Sequence, residues 1–419
     1  MHRTYRSVVG LVLTTLLALV GCAGSDGAGW EGTVTDSAGI EIVTSTGAGQ
    51  WSAGEAWTVE RDLVIGTAEG EPEYQFGQIV GIDVGPEGRV YVYDQQAREA
   101  RVFSPEGAFL LALGQAGSGP GEFSQAAGPL FVTPGDTVVI PDIMLQRMTF
   151  YTTSGEPAGS HALPMTGGIP VKWMELPGED LVQQAMVMAF PGQQEVEPKN
   201  LLLRRRPTGA VIDTILQMPI GETVSFSGGS PSVTLFEAEP MWTVGPEGNL
   251  YTGINAEYSI HVYSPEGALL RIVRMPFDRR PITDSDQAEL RRIIRGLWQD
   301  QGMAPEALEP MSQALGFADA YPAYANLLGG PDGSLWVQRI QTPDEIREAG
   351  GTFDIQDMGS ATWEVFDDGG RLLGTLEMPP RFTPLAFIDG AFYGVLRDEL
   401  DVQYAARMVV SRPSAPRGE

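Results

Sequence analysis

The sequence predicts an all-β fold, a six-bladed β-propeller with a short helical insertion. Three observations carry this. A Pro/Gly/acidic turn that feeds an alternating strand recurs as "GPEGRVYVYD" from Gly85, "GPEGNLYTGI" from Gly245 and "GPDGSLWVQR" from Gly330. Looser copies begin at Thr133, Leu176 and Phe387, which makes six repeats of one hairpin unit. The spacing also repeats. The "GPEG" turn moves 160 positions (245 − 85), and the "SPEG" turn moves the same 160 (264 − 104). Three units of about 53 residues fit that interval, within the range of propeller repeats. Finally, 52 Gly and 31 Pro in 419 residues suit an all-β chain with many short connections.

The elements follow in order. Residues 1–21 read as an export signal: "MHRTYR" is the basic start, and "SVVGLVLTTLLALV" is apolar but short for a membrane span. Leu19-Val20-Gly21-Cys22 resembles the lipobox of bacterial lipoproteins. That resemblance implies cleavage before Cys22, diacylation of its thiol and acylation of the new amino group. Several acyl chains would anchor the chain firmly in the cell envelope. Ala23, by resemblance to enterobacterial sorting, implies the outer membrane, with the protein facing periplasm or exterior. Cys22 is the only cysteine, so no intrachain disulfide forms. Residues 22–38 are Gly/Ser/Asp-rich and read as a flexible tether.

Residues 39–413 are expected to form the ring. Blade 1 reads as Ile79–Val84, Arg89–Tyr93, Ala100–Phe103 and Phe109–Leu113. Blade 3 reads as Val171–Leu176, Asp180–Met186, Leu201–Arg205 and Val211–Leu216. Blade 4 reads as Trp242–Val244, Asn249–Thr252, Ile260–Tyr263 and Leu269–Val273. Blade 5 reads as Tyr324–Leu328, Ser334–Gln338, Thr362–Phe366 and Leu372–Leu376. The last blade has three strands, Leu385–Ile388, Ala391–Leu396 and Ala405–Ser411. Its fourth is expected from the start of the mature chain, either Ile40–Thr44 or Trp57–Val59, which would close the ring without a bare edge. Pro219–Phe236 reads as a long loop. Thr283–Leu315 is the helical insertion: Leu290, Ile293, Ile294, Leu297 and Trp298 recur at helical spacing after a Thr283-x-x-Asp286 start. Leu308, Met311 and Leu315 suggest a second helix after Pro305. The insertion either packs on the ring's flank or lids the channel.

The stretch "GIDVGPEGRVYVYDQQAREARVFSPEGAFLLALGQAGSGPGEF" resembles the NHL repeat family, most closely over residues 79–123 and less so over 128–163 and 240–275. It departs from that family where Ala97-Arg98-Glu99 replaces the usual Asn-x-Arg. With "DSAGIEIV" at Asp36 and "GEPEYQFGQI" at Gly70, the chain is similar to six-bladed propeller lipoproteins of environmental bacteria.

Net charge is −27, or −29 (−27 minus 2) once Arg3 and Arg6 leave with the signal. Such a surface repels phosphate backbones and excludes nucleic acid as a partner. Gly114, Gly117, Gly119 and Gly121 lack the Lys-Ser/Thr and helix that a phosphate loop needs, and read as an inter-blade turn anchored by Phe123. The mature chain has two histidines, His161 and His261. His261 shares its strand position with Arg101, Thr149 and Glu364, which marks a solvated face. This counts against streptogramin-type and peptide-amidating lyase propellers, which lean on histidines. A calcium-dependent lactonase, like the gluconolactonase propellers, would instead use Glu, Asn and Asp converging on the channel, and the candidate channel-lining or Ca²⁺ residues are Asp83, Asp142, Glu239, Asn255 and Asn326, whose spacing does not itself show convergence. Against that, Asp at strand ends usually caps backbone amides. Trp173, Trp242, Trp336 and Trp363 read as packing between blades. The expected function is a membrane-anchored, non-catalytic binding or scaffold propeller that presents one face to a protein, peptide or glycan. The alternative is a divalent-metal-dependent hydrolase or lyase.

Overall fold

The computed structural model describes residues 29–413, apart from 53, 189–196, 221–223, 228–229, 301 and 349–357. Cys22, the signal and the first part of the tether lie outside the described residues.

Six antiparallel sheets surround one axis, each contributing its first strand to the channel wall. These inner strands are Ile79–Val84, Phe131–Thr133, Ile169–Glu175, Pro240–Val244, Asn326–Gly329 and Phe382–Ile388 in blades 1 to 6. The repeated turn is closed by the same hydrogen bond each time. Gly85 N–H, Gly245 N–H and Gly330 N–H close it onto the carbonyls of Arg89, Asn249 and Ser334 at 2.8–2.9 Å. Its fourth residue is left-handed in all three turns (Gly88 φ 72°, Gly248 φ 87°, Gly333 φ 72°), which is why Gly recurs there; in the first and third turns the acidic third residue is left-handed as well (Glu87 φ 61°, Asp332 φ 54°).

A separate hydrophobic core fills each seam between neighbouring blades, including the seam from blade 6 back to blade 1. Alternation along each strand sends one set of side chains to each neighbour, so every blade seals two seams. Trp173, Trp242, Trp336 and Trp363 all lie buried in these seams, as predicted.

The ring closes through Thr58–Ile65, which pairs antiparallel with Gln403–Ser411 as the outer strand of blade 6. Of the two segments expected for this task, the later one does it. The earlier one, Ile40–Ser45, instead lies parallel on the outer strand of blade 4 (Glu41↔Arg271). Gly32–Ser37 pairs beyond it, so the expected tether is shorter than residues 22–38. Between these strands, Gln50 N–H and Trp51 N–H donate to Leu372 O (3.2 Å) and Leu373 O (2.7 Å) on the outer strand of blade 5. Trp51 and Trp57 then join the blade 5–6 core. Residues 32–65 therefore form a belt across the rims of blades 4, 5 and 6.

An accessory module carries a seventh core. Its helices are α1 (Asp284–Asp300), α2 (Pro305–Ala314) and α3 (Pro343–Glu348). The predicted start of α1 is a reciprocal cap: Thr283 N–H donates to Asp286 Oδ2 (3.0 Å) and Asp286 N–H to Thr283 Oγ1 (3.2 Å). Leu290, Ile293 and Ile294 are buried against Leu235, Phe236, Tyr321 and Ile346. The stretch expected as a loop, Pro219–Phe236, contains a hairpin, Val224–Ser227 with Ser230–Leu235, and the latter pairs parallel with Leu315–Phe317. Leu315 thus starts a strand instead of ending α2. Met311 is 43% exposed, so the second predicted apolar stripe is only partly used. The module draws on the links before and after blade 4 and on the loop that carries α3 in blade 5.

Candidate functional site

Four of the five acidic and amide residues singled out by the sequence serve the blades locally. Asp142 ends the second strand of blade 2 with no exposed surface. Its carboxylate accepts from Ser124 N (2.8 Å), Ser124 Oγ (2.6 Å) and Leu145 N (2.9 Å). Asp94, at the same place in blade 1, accepts from the backbone of Gly77, Gln78, Gln96 and Ala97. Asn255 in blade 4 accepts from Glu239 N (2.6 Å) and donates to Tyr324 O (2.9 Å). The end of the second strand is therefore a repeated pin, tying the following turn or a neighbouring link to the sheet. Glu239 supplies a backbone N–H to that pin, and burial, then Glu237, holds its own carboxyl above the usual range. Asn326 accepts from Leu327 N (2.9 Å) at the start of its strand.

Asp83 is different. It lies in the inner strand of blade 1 at 5% exposure. Its Oδ1 accepts from Val84 N (2.7 Å), and its Oδ2 crosses to Val132 N (2.6 Å) on the inner strand of blade 2. Burial outweighs these two hydrogen bonds and raises its pKa, and the charge of Asp389 adds to the effect. Glu175, which ends the inner strand of blade 3, is raised by burial and then by Asp83 itself. The acids of blades 1 and 3 thus feel one another across the short inner strand of blade 2. Ionising both at neutral pH is unfavourable. Sequence reading passed over Glu175. The available signal was a pair of charges, Lys172 and Glu175, inside an otherwise apolar inner strand.

Lys172 donates to Trp242 O (2.8 Å) on blade 4 and lies 5.0 Å from the centre of that indole. Burial pushes its pKa down to about 8. Trp242 Nε1 donates to Gln184 Oε1 (2.7 Å), Gln184 Nε2 to Asn200 Oδ1 (3.1 Å), and Asn200 Nδ2 to Pro219 O (3.2 Å). This chain of polar groups crosses the seam between blades 3 and 4. It ends at a cleft of about 420 Å³ whose lining includes Met218, Pro219, Thr252, His261, Tyr263 and Arg274. His261 was expected on a solvated face. It is instead half-buried in this cleft, where burial and the Arg274 charge lower its pKa and favour the neutral imidazole. His161 lies exposed on the outer strand of blade 2, edge-on to Phe150. A second cleft, about 600 Å³, lies between α1 and α3. There Glu289, Arg292, Asp344 and Arg347 pair with one another.

Among the described residues, no three His, Cys, Asp or Glu side chains are grouped to hold a metal ion. The glycine-rich turn after blade 1 offers carbonyls, not amides: Arg147 donates to Ser118 O (3.2 Å) and Gly119 O (2.8 Å). Phe123 anchors it, fully buried and edge-on to Tyr93.

A family profile described as a six-bladed β-propeller matches residues 69–194. No curated protein matches the sequence. Among solved structures, the chain is similar to a Bacteroides fragilis protein whose given name marks it as a candidate exported protein. That likeness has 12% identity and a TM-score of 0.50, and covers 88% of this chain and 100% of the other. A Bacteroides vulgatus protein matches at 10% identity and a TM-score of 0.50, covering 86% and 100%. Virginiamycin B lyase from Staphylococcus aureus matches at 10% identity, covering 84% and 99%, but with a TM-score of 0.42. At these identities the likeness concerns the fold. The fold of this chain is a six-bladed β-propeller.

Proposed function

We propose that this chain is an exported, lipid-anchored binding propeller that presents its module-bearing side to a protein, peptide or glycan in the cell envelope. One observation carries the reading. The elements added to the bare ring, namely the hairpin, α1, α2 and α3, gather around a core of their own, while Asp83 ties blade 1 to blade 2 and Asp142 and Asn255 pin turns and links to the sheets. Elaborated connections on a rigid scaffold are where binding surfaces are usually built. The test is capture of envelope partners by the mature soluble chain beside a variant with residues 284–314 replaced by a short linker. Capture by the parent alone supports the reading; equal capture by both refutes the role given to the module. Mass spectrometry of Cys22 tests the anchor separately, and an unmodified thiol removes it.

The alternative, a divalent-metal-dependent hydrolase or lyase using Ca²⁺, is favoured by one feature, the mutual repulsion of the buried acids Asp83 and Glu175 on the inner strands. It requires a large rise in melting temperature with calcium. An unchanged melting temperature ends it.

A further inference from the structure

We infer that the seam between blades 2 and 3 binds a small inorganic anion, chloride in size and charge, beside Arg205. This side chain lies in the third strand of blade 3 with no exposed surface. Its Nε donates to Gln183 Oε1, one Nη to Gly209 O (2.5 Å) and the other to Pro164 O (3.1 Å). All three acceptors are neutral, and a guanidinium has five N–H groups to place. Its neighbours in sequence have carboxylate partners: Arg204 pairs with Asp213 and Arg206 with Asp180. So does the other deeply buried arginine of the ring, Arg101, which pairs with Asp94 and Glu99. Among the described residues, Arg205 has no ion pair.

A second observation points the same way. Gln183 Nε2 and Trp173 Nε1 are buried N–H donors with no partner. Trp173 pairs across the sheet with Gln183, and Gln183 with Leu203, two residues before Arg205. These side chains therefore share one face of blade 3, and the Arg205 guanidinium lies 6.0 Å from the Trp173 ring centre. That face packs on Phe131, Val139, Met148 and Phe150 of blade 2, whose side chains are uncharged and apolar. The cluster has a positive charge with no carboxylate paired to it and two buried N–H donors with no partner. Water can accept hydrogen bonds there but cannot supply the missing charge; a halide does both.

The test uses the mature chain. Its melting temperature is compared in chloride and in gluconate at equal ionic strength, and crystals are soaked in bromide. Chloride should raise the melting temperature saturably by about 3 °C, and an anomalous peak should appear beside Arg205. Arg205→Met should abolish the chloride response. If that variant does not fold, Trp173→Phe, which removes one N–H, should move the chloride midpoint several-fold higher. The bromide map decides: absence of a peak beside Arg205 overturns the inference whatever the melting curves do. So does a chloride response that survives Arg205→Met.

Discussion

Replacing Asp142 by Ala should weaken the ring strongly, and by the same amount with or without calcium. The fully buried carboxylate takes hydrogen bonds from two backbone amides and one hydroxyl, all at 2.6–2.9 Å. Alanine leaves the Ser124 and Leu145 amides unpaired; the Ser124 hydroxyl can rotate to another acceptor. A buried unsatisfied donor costs about 1–3 kcal/mol; the Ser124 amide is buried and the Leu145 amide only partly so, which puts the loss at about 1–4 kcal/mol. Asp142→Asn keeps one acceptor oxygen in place and should lose roughly 1–2 kcal/mol. Asp94→Ala, which removes four backbone acceptor contacts and the carboxylate paired with Arg101, should lose at least as much as Asp142→Ala. The assay is urea denaturation of the mature chain, followed by intrinsic fluorescence, with chelator and with excess calcium. A loss for Asp142→Ala below about 1 kcal/mol would show that Asp142 is not a pin. A loss seen only when calcium is present would identify it as a metal ligand and overturn the reasoning.

Three further outcomes are expected. Glu175 is protonated in the folded chain over a pH range where the unfolded chain has already ionised, so native stability should fall as pH rises from the ordinary carboxyl pKa of about 4.3 through the raised one. Glu175→Gln should therefore match the parent near pH 4 and exceed it at pH 8, and parallel pH profiles of melting temperature would refute this. Ile294→Asp places a charge in the module core and should open residues 284–317 to proteolysis while the ring melts at its usual temperature; joint melting would show that the module does not have a core of its own. Removing residues up to Ile65 strips the outer strand from blade 6 and should yield an aggregating chain on size-exclusion chromatography; a monomeric product of normal melting temperature would refute its role in closure.

Much of the ring was legible because its signals are local. An acidic-Gly pair with the Gly left-handed marks each full turn, alternation marks each strand, and a Thr-x-x-Asp box marks α1. What failed depended on distant partners. Ile40–Ser45 and Thr58–Ile65 are both short alternating runs, and only the edges they meet, one on blade 4 and one on blade 6, decide which closes the ring. The hairpin within Pro219–Phe236 is hidden by Gly and Ser, and one of its strands is completed by Leu315–Phe317 from another part of the chain. The site suffered from the same ambiguity. An Asp that ends a strand looks alike whether it caps amides, as Asp142 does, or lines a channel. Glu175 became visible only once the fold set it across the short inner strand of blade 2 from Asp83.

The belt imposes an order on the birth of the molecule. Asp62 meets Arg407 across 345 positions, and Glu41 meets Arg271 across 230. Ile40–Ser45 must wait, unsheltered, for Leu269–Arg274 to be synthesised, and Thr58–Ile65 for Gln403–Ser411. Such long-range pairing slows maturation and lengthens the interval in which sticky segments such as Trp51 and Trp57 are open to wrong partners. It also couples the two termini: a nonsense mutation upstream of Gln403 would strand the beginning of the chain as surely as it removes the end.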